Sequence, residues 1–320
     1  MPAAPSTGRD LHVDVPLSNI VVGRRPEGFI ADQLLPISPV SKQSDIYYKF
    51  NHGEGRRYEP NLTARAPGTA PRKVHMTVSS DTYFAPNYAL GTDMVVEDIV
   101  NADEVLGWAE SNALFLTDRL MMDYENRVAA LAVSTTAVHT VTTVSTAWSN
   151  KTGSSPLDDM LDEVENFRQY SGSKPNLAII PEQVMTHLRR SDQLRDILFG
   201  DRGGLVQDGQ IASLIGVDRV LVPMAQVNTF GETETINGSW SLADIWGSHM
   251  WLAKVNLLAG RYTDTWLNAF RWTSPLLGVP FAVQRHPFDA KRKKFEMDVG
   301  YYQTEKVIST DLAIRVASVI

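Results

Sequence analysis

The seven histidines are the first side chains to examine for chemistry, because imidazole serves in both metal binding and acid–base catalysis. They are His12, His52, His75, His139, His187, His249 and His286. No two of them stand at the spacing of a helical metal site, and the sequence contains neither HExxH nor GxSxG. The chain has no cysteine, which excludes disulfides and thiolate metal sites. The sequence therefore predicts no metal, no cofactor and no catalytic residue.

Two further patterns resemble ligand or proton-transfer sites, and both have a simpler interpretation. The glycine-rich stretch from Gly200 to Gly204 follows a predicted helix rather than a strand, so it lacks the geometry of a phosphate-binding loop. A group of carboxylates falls mainly on the helix face opposite Leu157 and Leu161, as is typical of a solvated surface. These carboxylates are Asp158, Asp159, Asp162, Glu163 and Glu165. Neither pattern indicates an active site.

The C-terminal third holds an aromatic cluster and a basic run. The spacing of five tryptophans follows strands and favours core or interface packing over a sugar-binding platform. They are Trp240, Trp246, Trp251, Trp266 and Trp272. The basic run Lys291–Lys294 fits either a solvated hairpin turn or a contact with phosphate or with an acidic neighbour. No reaction chemistry emerges from these residues.

Composition describes an ordinary globular chain. Its 320 residues favour about two domains, and 43% hydrophobic with 21% charged residues fits a sizeable core. A net charge of −7 argues against a surface built mainly to grip nucleic acid. Residues 1–14 lack a signal-peptide core, and nowhere do eighteen apolar residues run together, so we expect neither export nor a membrane span.

The elements that organise the chain are a long helix and a long hairpin. The helical pattern runs from Asn101, a good N-cap with Glu104 three residues on, to the β-branched residues that end at Thr136. Such a helix is on the order of 50 Å long and must act as a spine. Strand patterns at 46–50 and 74–78 flank a Gly- and Pro-rich stretch with almost no apolar residue. We expect this hairpin to project and to be stabilised by a neighbour.

The charges of these two elements are opposite in sign. The hairpin region carries a basic set: Lys49, Arg56, Arg57, Arg65, Arg72 and Lys73. The spine region carries an acidic set: Asp98, Asp103, Glu104, Glu110 and Asp118. This difference suggests charge complementarity between neighbouring subunits, although two independently solvated faces would give the same composition.

The remaining segments predict an α+β fold. Residues 1–45 are rich in proline with short apolar pieces, which fits a poorly ordered tail or, in preference, an arm that lies along other surfaces. Residues 156–255 have the rhythm of a mixed α/β unit. It begins with a helix that starts at Pro156 and ends at Gly172. From Arg261 onward the pattern is strand-rich, which predicts that the C-terminus returns to the domain carrying the spine.

In this order the parts resemble a tailed-bacteriophage major capsid protein of the Hong Kong ninety-seven type. The resemblance lies in the layout of the whole chain and in segments such as Leu120-Met121-Met122-Asp123-Tyr124-Glu125 in the spine. It implies an N-terminal arm (1–45), an E-loop hairpin (46–92), a peripheral domain with the spine helix (93–150), an axial domain (151–255) and a return to the peripheral domain (256–320).

The same resemblance implies a shell subunit that forms hexamers and pentamers of an icosahedral head around double-stranded DNA, assembled in the host cytoplasm. The DNA is contacted non-specifically. The expected partners are a separate scaffolding protein, because no coiled-coil extension precedes the arm, a portal and a decoration protein. A nanocompartment shell of the same fold, another phage structural protein of the tail or decoration type, and an uncharacterised enzyme are the alternatives.

Overall fold

A computed structural model describes residues 12–14, 17–18, 20–21, 24, 26–50, 60, 63–65, 67–73, 75, 78–101, 107–200, 204–229, 241–258, 265–273 and 282–320. The helices are α1 (Ala31–Leu34), α2 (Val96–Asn101), α3 (Trp108–Val133), α4 (Pro156–Ser171), α5 (Glu182–Arg190), α6 (Asp192–Phe199) and α7 (Asp208–Ile215). The first strands are β1 (His12–Val13), β2 (Ile37–Val40), β3 (Ser44–Phe50), β4 (Val78–Phe84), β5 (Asn87–Val95), β6 (Thr140–Thr143), β7 (Leu177–Ile179) and β8 (Arg219–Leu221). The others are β9 (Gln226–Asn228), β10 (Leu242–Asp244), β11 (Met250–Ala253), β12 (Leu267–Trp272), β13 (Ala282–Arg285), β14 (Lys294–Val307) and β15 (Ala313–Ala317).

The spine helix is α3, and it is shorter than the sequence pattern predicts. It has 26 residues and begins after Gly107, whereas Asn101 ends the short helix α2 instead of capping the spine. The predicted start was wrong because residues 96–101 form a helix of their own; Glu104, the other half of the predicted capping box, lies outside the described residues. The helix ends at Val133, where the β-branched run begins, as predicted.

One face of the spine helix packs against a six-stranded sheet. The sheet has the order β1-β13-β14-β12-β2, and β5 pairs with the other half of β14. The long strand β14 connects two parts of this sheet, because its residues 294–302 pair with β5 and its residues 303–307 pair with β12. The spine buries a stripe of apolar residues in this core: Leu116, Leu120, Met121, Tyr124, Val128 and Ala132. The strand-rich pattern after Arg261 did not predict the bounds of β12 or the length of β14.

A five-stranded sheet with the order β6-β15-β11-β7-β8 forms the second layer. Helix α4 begins at Pro156 and ends at Gly172, whose φ of 62° is the left-handed conformation that glycine tolerates, as the sequence predicted. The final strand β15 pairs with β11 and β6. Within the predicted return of 256–320, the last strand therefore lies in the second sheet, whereas β12, β13 and β14 lie in the first. The alternating pattern of β15 shows that a strand forms but not which sheet it joins.

The predicted hairpin forms with a shifted second strand. Strands β3 and β4 pair antiparallel, with Ile46 opposite Thr82 and Phe50 opposite Val78. Residues 74, 76 and 77, which the sequence placed in the second strand, lie outside the described residues. The connecting segment is described only at 60, 63–65, 67–73 and 75, and each of these residues is exposed.

Candidate subunit interface

The base of the hairpin is anchored by aromatic side chains on one of its faces. Tyr47 and Tyr83 are buried, and both rings pack on Phe270 of β12, at centroid distances of 5.4 and 4.8 Å. The Tyr83 hydroxyl also donates to the carbonyl of Lys42 at 3.1 Å. Aromatic burial of this kind supplies most of the docking energy of a short hairpin, which is marginal by itself.

The opposite face of the hairpin has no such cover. Directly opposed residues on paired strands share a face, so Ile46 with Thr82 and Phe84 with Ser44 point away from Phe270. Ile46 is 42% exposed and Phe84 is 57% exposed. An apolar outer face on a two-stranded ribbon indicates a surface that binds another protein.

Lys49, a member of the predicted basic set, is paired within the hairpin. Its ammonium group lies 3.0 Å from the Asp81 carboxylate, which also accepts from the Tyr47 hydroxyl at 3.2 Å. The hydrogen bond from Lys49, together with the Thr82 amide, lowers the pKa of Asp81 to about 2. Burial, with Asp81 nearby, raises the pKa of Tyr47. Because the ion pair is exposed, it fixes local geometry more than it stabilises the fold.

The rest of the basic set lies in the connecting segment. Arg65, Arg72 and Lys73 are exposed. Arg56 and Arg57 lie outside the described residues. The described residues between 60 and 75 include no apolar side chain larger than proline. The described part of this segment is thus a polar, basic surface without a large apolar side chain to hold it on its own subunit.

The acidic set is partly engaged within the subunit. Asp118 on the spine helix accepts two hydrogen bonds from the Arg24 guanidinium, both at 2.8 Å. Glu110 is exposed in the first turn of the helix. Asp98 lies in α2, but its side chain is outside the described residues, as are Asp103 and Glu104. Within one subunit, Lys49 and Asp118 contact Asp81 and Arg24 rather than each other.

The basic run contacts acidic side chains, the second of its two interpretations, and the tryptophans have the packing role that the sequence favoured. Lys294 binds Asp93 and Glu296, each at 2.7 Å, and Lys293 lies 3.8 Å from Glu97, so the basic turn meets acidic neighbours of its own chain. Three tryptophans are fully buried, which confirms core packing: Trp246, Trp251 and Trp266. Trp272 donates to the Ser41 carbonyl, and Trp240 lies outside the described residues.

Among the residues that the structure describes, no cluster of three or more histidine, aspartate or glutamate side chains is placed to hold a metal ion. The searched part of the chain likewise contains no helix with the length and apolarity needed to cross a bilayer. The predicted carboxylate group on α4 serves structure: Asp159 accepts from the Trp148 indole at 2.8 Å, and Glu165 pairs with Arg168.

The role of Glu125 on the spine helix was not predicted from the sequence. The side chain is fully buried and accepts hydrogen bonds from the amides of Ile30 and Ala31 and from the Trp246 indole. The available signal was its register, because Glu125 stands four residues after Met121 and four before Ala129, both buried. A second missed network is that of Arg127, which contacts Asp123, Glu305 and the Tyr301 hydroxyl.

The architecture has recognisable relatives. No protein-family model matches the chain. The major capsid protein of Pseudomonas phage JBD67 is 25% identical over 246 residues, which are 74% of this chain and 75% of that protein. The crystal structure of a phage-related protein from Bordetella bronchiseptica RB50 has a TM-score of 0.74 at 18% identity, with 97% of this chain and 98% of that chain covered. The capsid structure of cyanophage P-SCSP1u has a TM-score of 0.59 at 11% identity, with 92% and 89% covered.

These likenesses agree with the layout of arm, hairpin, spine helix and α/β layer. The two solved structures cover nearly the whole chain and establish the fold, and the sequence relative is itself a shell protein. The fold recognised from the sequence is thereby confirmed: the chain has the mixed α+β fold of the Hong Kong ninety-seven type, and it is similar in sequence to a phage major capsid protein.

Proposed function

We propose that this chain assembles into hexamers and pentamers of the icosahedral head, and that the hairpin β3–β4 is a principal contact between neighbouring subunits. The observation that carries the proposal is the two-faced hairpin. Tyr47 and Tyr83 fix one face to the subunit's own sheet, while Ile46 and Phe84 leave an apolar outer face in solvent. A shell neighbour is the partner that would cover this face in every copy.

In this proposal the described elements take the family's parts. Residues 46–92 act as the E-loop, the spine helix belongs to the peripheral domain, and the layer around α4–α7 is the axial domain that meets its copies at the capsomer centre. Strand β15 joins that layer, so the axial domain includes the C-terminal strand. The further partners proposed are a separate scaffolding protein, the portal, a decoration protein and packaged double-stranded DNA held without sequence preference.

Electron microscopy tests the assembly directly. The purified protein, expressed with the scaffolding protein of its own phage, is expected to give closed shells with capsomers in negative stain. Compact monomers at high protein concentration would contradict the proposal, and rings or tubes would favour a tail component. Shells that contain protein cargo but never DNA in infected cells would favour a nanocompartment instead.

A charge-reversal experiment tests the role of the hairpin. The triple change Arg56→Glu, Arg57→Glu and Arg72→Glu is expected to leave the subunit folded and to slow or block shell formation. Each exposed ion pair is worth only about 0–1 kcal/mol, so several lost together would cost roughly 2–3 kcal/mol, or about a hundredfold in pairwise association. Repetition of the contact around the shell amplifies that loss.

Circular dichroism for folding and light scattering for assembly are the two measurements. The matched control is Lys291→Glu, Arg292→Glu and Lys293→Glu, which reverses three exposed charges outside the hairpin and outside the α/β layer. Wild-type assembly is also expected to weaken as salt shortens the Debye length from about 10 Å toward 3 Å. Normal shells from the triple variant would remove the hairpin charges from the mechanism, whereas loss of folding would assign these arginines to their own subunit.

A further inference from the structure

The N-terminal part of the chain reaches both edges of the six-stranded sheet. Strand β1 pairs with β13 at one end of the strand order, and β2 pairs with β12 at the other end. Between these strands, Arg24, Ile30 and Ala31 contact the spine helix. We call the described residues from Asp14 to Leu35 the belt. Because both of its ends are hydrogen-bonded into one sheet, the belt holds the spine helix against that sheet.

The belt packs through apolar side chains along its length. Its buried apolar residues are Leu17, Val21, Ile30, Ala31, Leu34 and Leu35. They belong to the same core cluster as the buried stripe of the spine helix. Because burial of aliphatic side chains is the main favourable term in folding, this contact is a substantial part of the subunit's stability. The belt is therefore integral to the folded subunit.

Two carboxylates of the spine helix hold the belt at separate points. Asp118 and Glu125 are seven residues apart, which is about two helical turns and places them on the same face. Asp118 binds Arg24 at the solvent-exposed end, with 45% of the Arg24 side chain and 37% of the Asp118 side chain exposed. Glu125 accepts from the amides of Ile30, at 3.1 Å, and Ala31, at 2.8 Å, in the buried part.

Glu125 also reaches the second layer. The Trp246 indole, which lies just before β11 of the five-stranded sheet, donates to the same carboxylate at 2.7 Å. Nearby, the Met224 amide donates to the Gly28 carbonyl at 3.0 Å, and Arg219 donates to the Gln33 carbonyl at 3.0 Å. The belt thus contacts the spine helix and both layers, and the Glu125 carboxylate joins the belt, the spine helix and the second layer.

The chemistry of this site favours a state in which all the hydrogen bonds to Glu125 are made over one in which some are lost. Glu125 is fully buried, and the groups that donate to it are neutral N–H groups rather than a cation. A buried carboxylate is tolerated only while its hydrogen bonds are complete. Conversely, removal of the carboxylate leaves the amides of Ile30 and Ala31 and the Trp246 indole without their acceptor, and each buried unpaired donor is costly.

We propose that Glu125 is the latch of the belt, and that the subunit has a belt-open conformation in which this latch is released while both sheets stay intact. In that conformation the belt lifts from the spine helix and uncovers its apolar side. The contacts of Trp246, Met224 and Arg219 mean that the same event loosens the α/β layer against the spine. In the closed conformation the belt therefore fixes the position of the two layers relative to each other.

Hydrogen exchange of the free subunit tests this proposal, with Glu125→Ala as the main variant and Asp118→Asn as the matched control on the same helix face. In Glu125→Ala the amides of Ile30 and Ala31 are expected to exchange roughly a hundredfold faster. Asp118→Asn, which loses only an exposed ion pair, should accelerate them by less than about fivefold. Amides of α4, such as those of Met160 and Phe167 in the second core, should be unchanged.

Two outcomes would overturn the latch. Unchanged exchange at Ile30 and Ala31 in Glu125→Ala would show that the carboxylate does not hold the belt. Equal acceleration of the belt and of α4 would show that it supports the whole fold and that no local opening exists. If Glu125→Ala does not fold, Trp246→Phe decides, because it removes only the indole donor: the proposal expects selective acceleration in the belt, and an unchanged belt would contradict it.

Discussion

The hairpin and the N-terminal belt are both long segments outside the spine helix, but the belt packs on its own subunit whereas most of the described hairpin is exposed. The belt is pinned at both ends and buries Leu17, Val21 and Leu34 against the spine. The hairpin is anchored by aromatic packing at its base, and the described residues of its connecting segment are all exposed. The difference follows from apolar content. A segment that can bury aliphatic side chains closes on its own subunit, whereas one without them depends on a partner.

Truncation of a buried belt residue should have the largest effect on stability. Leu34→Ala is expected to lower the free energy of unfolding by about 2–5 kcal/mol, because it opens a cavity in a packed core. Ile46→Ala on the outer hairpin face, already 42% exposed, should cost less than about 1 kcal/mol in the free subunit. Urea unfolding of the unassembled protein measures both. Equal losses in the free energy of unfolding for the two variants would contradict the view that the belt, unlike the outer hairpin face, belongs to the subunit's core.

A pair of changes at Tyr83 separates the two parts of the hairpin anchor. Tyr83→Phe removes the hydroxyl that donates to the Lys42 carbonyl and should cost about 1 kcal/mol. Tyr83→Leu also removes the ring that stacks on Phe270 and should cost about 1 kcal/mol more. Hydrogen exchange of β3 and β4 reports the local loss. If Tyr83→Leu released the belt as well, the two segments would not be independent.

Acid is expected to act on the two segments with opposite sign. Burial raises the pKa of Glu125 above its ordinary 4.5, with Asp32 nearby adding to the rise and the donors of Ile30, Ala31 and Trp246 opposing it. The folded state therefore gains stability from this group as the pH falls through the raised pKa, with the gain complete below about 4.5. The pKa of Asp81 is instead lowered from 3.8 to about 2, so its contribution is lost as the pH falls through that range.

Carboxyl-carbon NMR titration, with Asp81→Asn and Glu125→Ala for assignment, follows both groups. Belt amides should become better protected between neutral pH and about 4.5, while the hairpin pair should change only at lower pH. A Glu125 carboxyl that titrates below its ordinary value would reverse the expected sign for the belt.

The sequence predicted much of the fold where local signals agree with packing. Pro156 and Gly172 bracket α4 as predicted, because the signals that begin and end a helix lie within a few residues. The sequence did not predict which strands pair when the two strands are far apart in the chain. Strand β15 belongs to the α/β layer, and pairing between strands tens of residues apart leaves no local trace.

The candidate interface was predictable in outline but not in its pairings. The sequence shows that the hairpin's connecting segment is basic and has almost no apolar residue. Its described residues between 60 and 75 are exposed, as expected. Counting charges along the spine could not show that Asp118 binds Arg24 or that Glu125 is buried under the belt, because those partners lie about ninety residues away. A count of charges predicts a charged surface only when each charged side chain is known to be exposed and unpaired.

Protection of the hairpin segment before and after assembly tests the central claim most directly. Hydrogen exchange, with limited trypsin digestion beside it, would be measured on free subunits and on shells of the same protein. The account predicts that 60–75 exchanges rapidly and is cut at Arg65 in free subunits but is protected in shells, while Ile30 and Ala31 in the belt are protected in both. Equal exposure of 60–75 in the two states would contradict the proposal that a neighbouring subunit covers the hairpin.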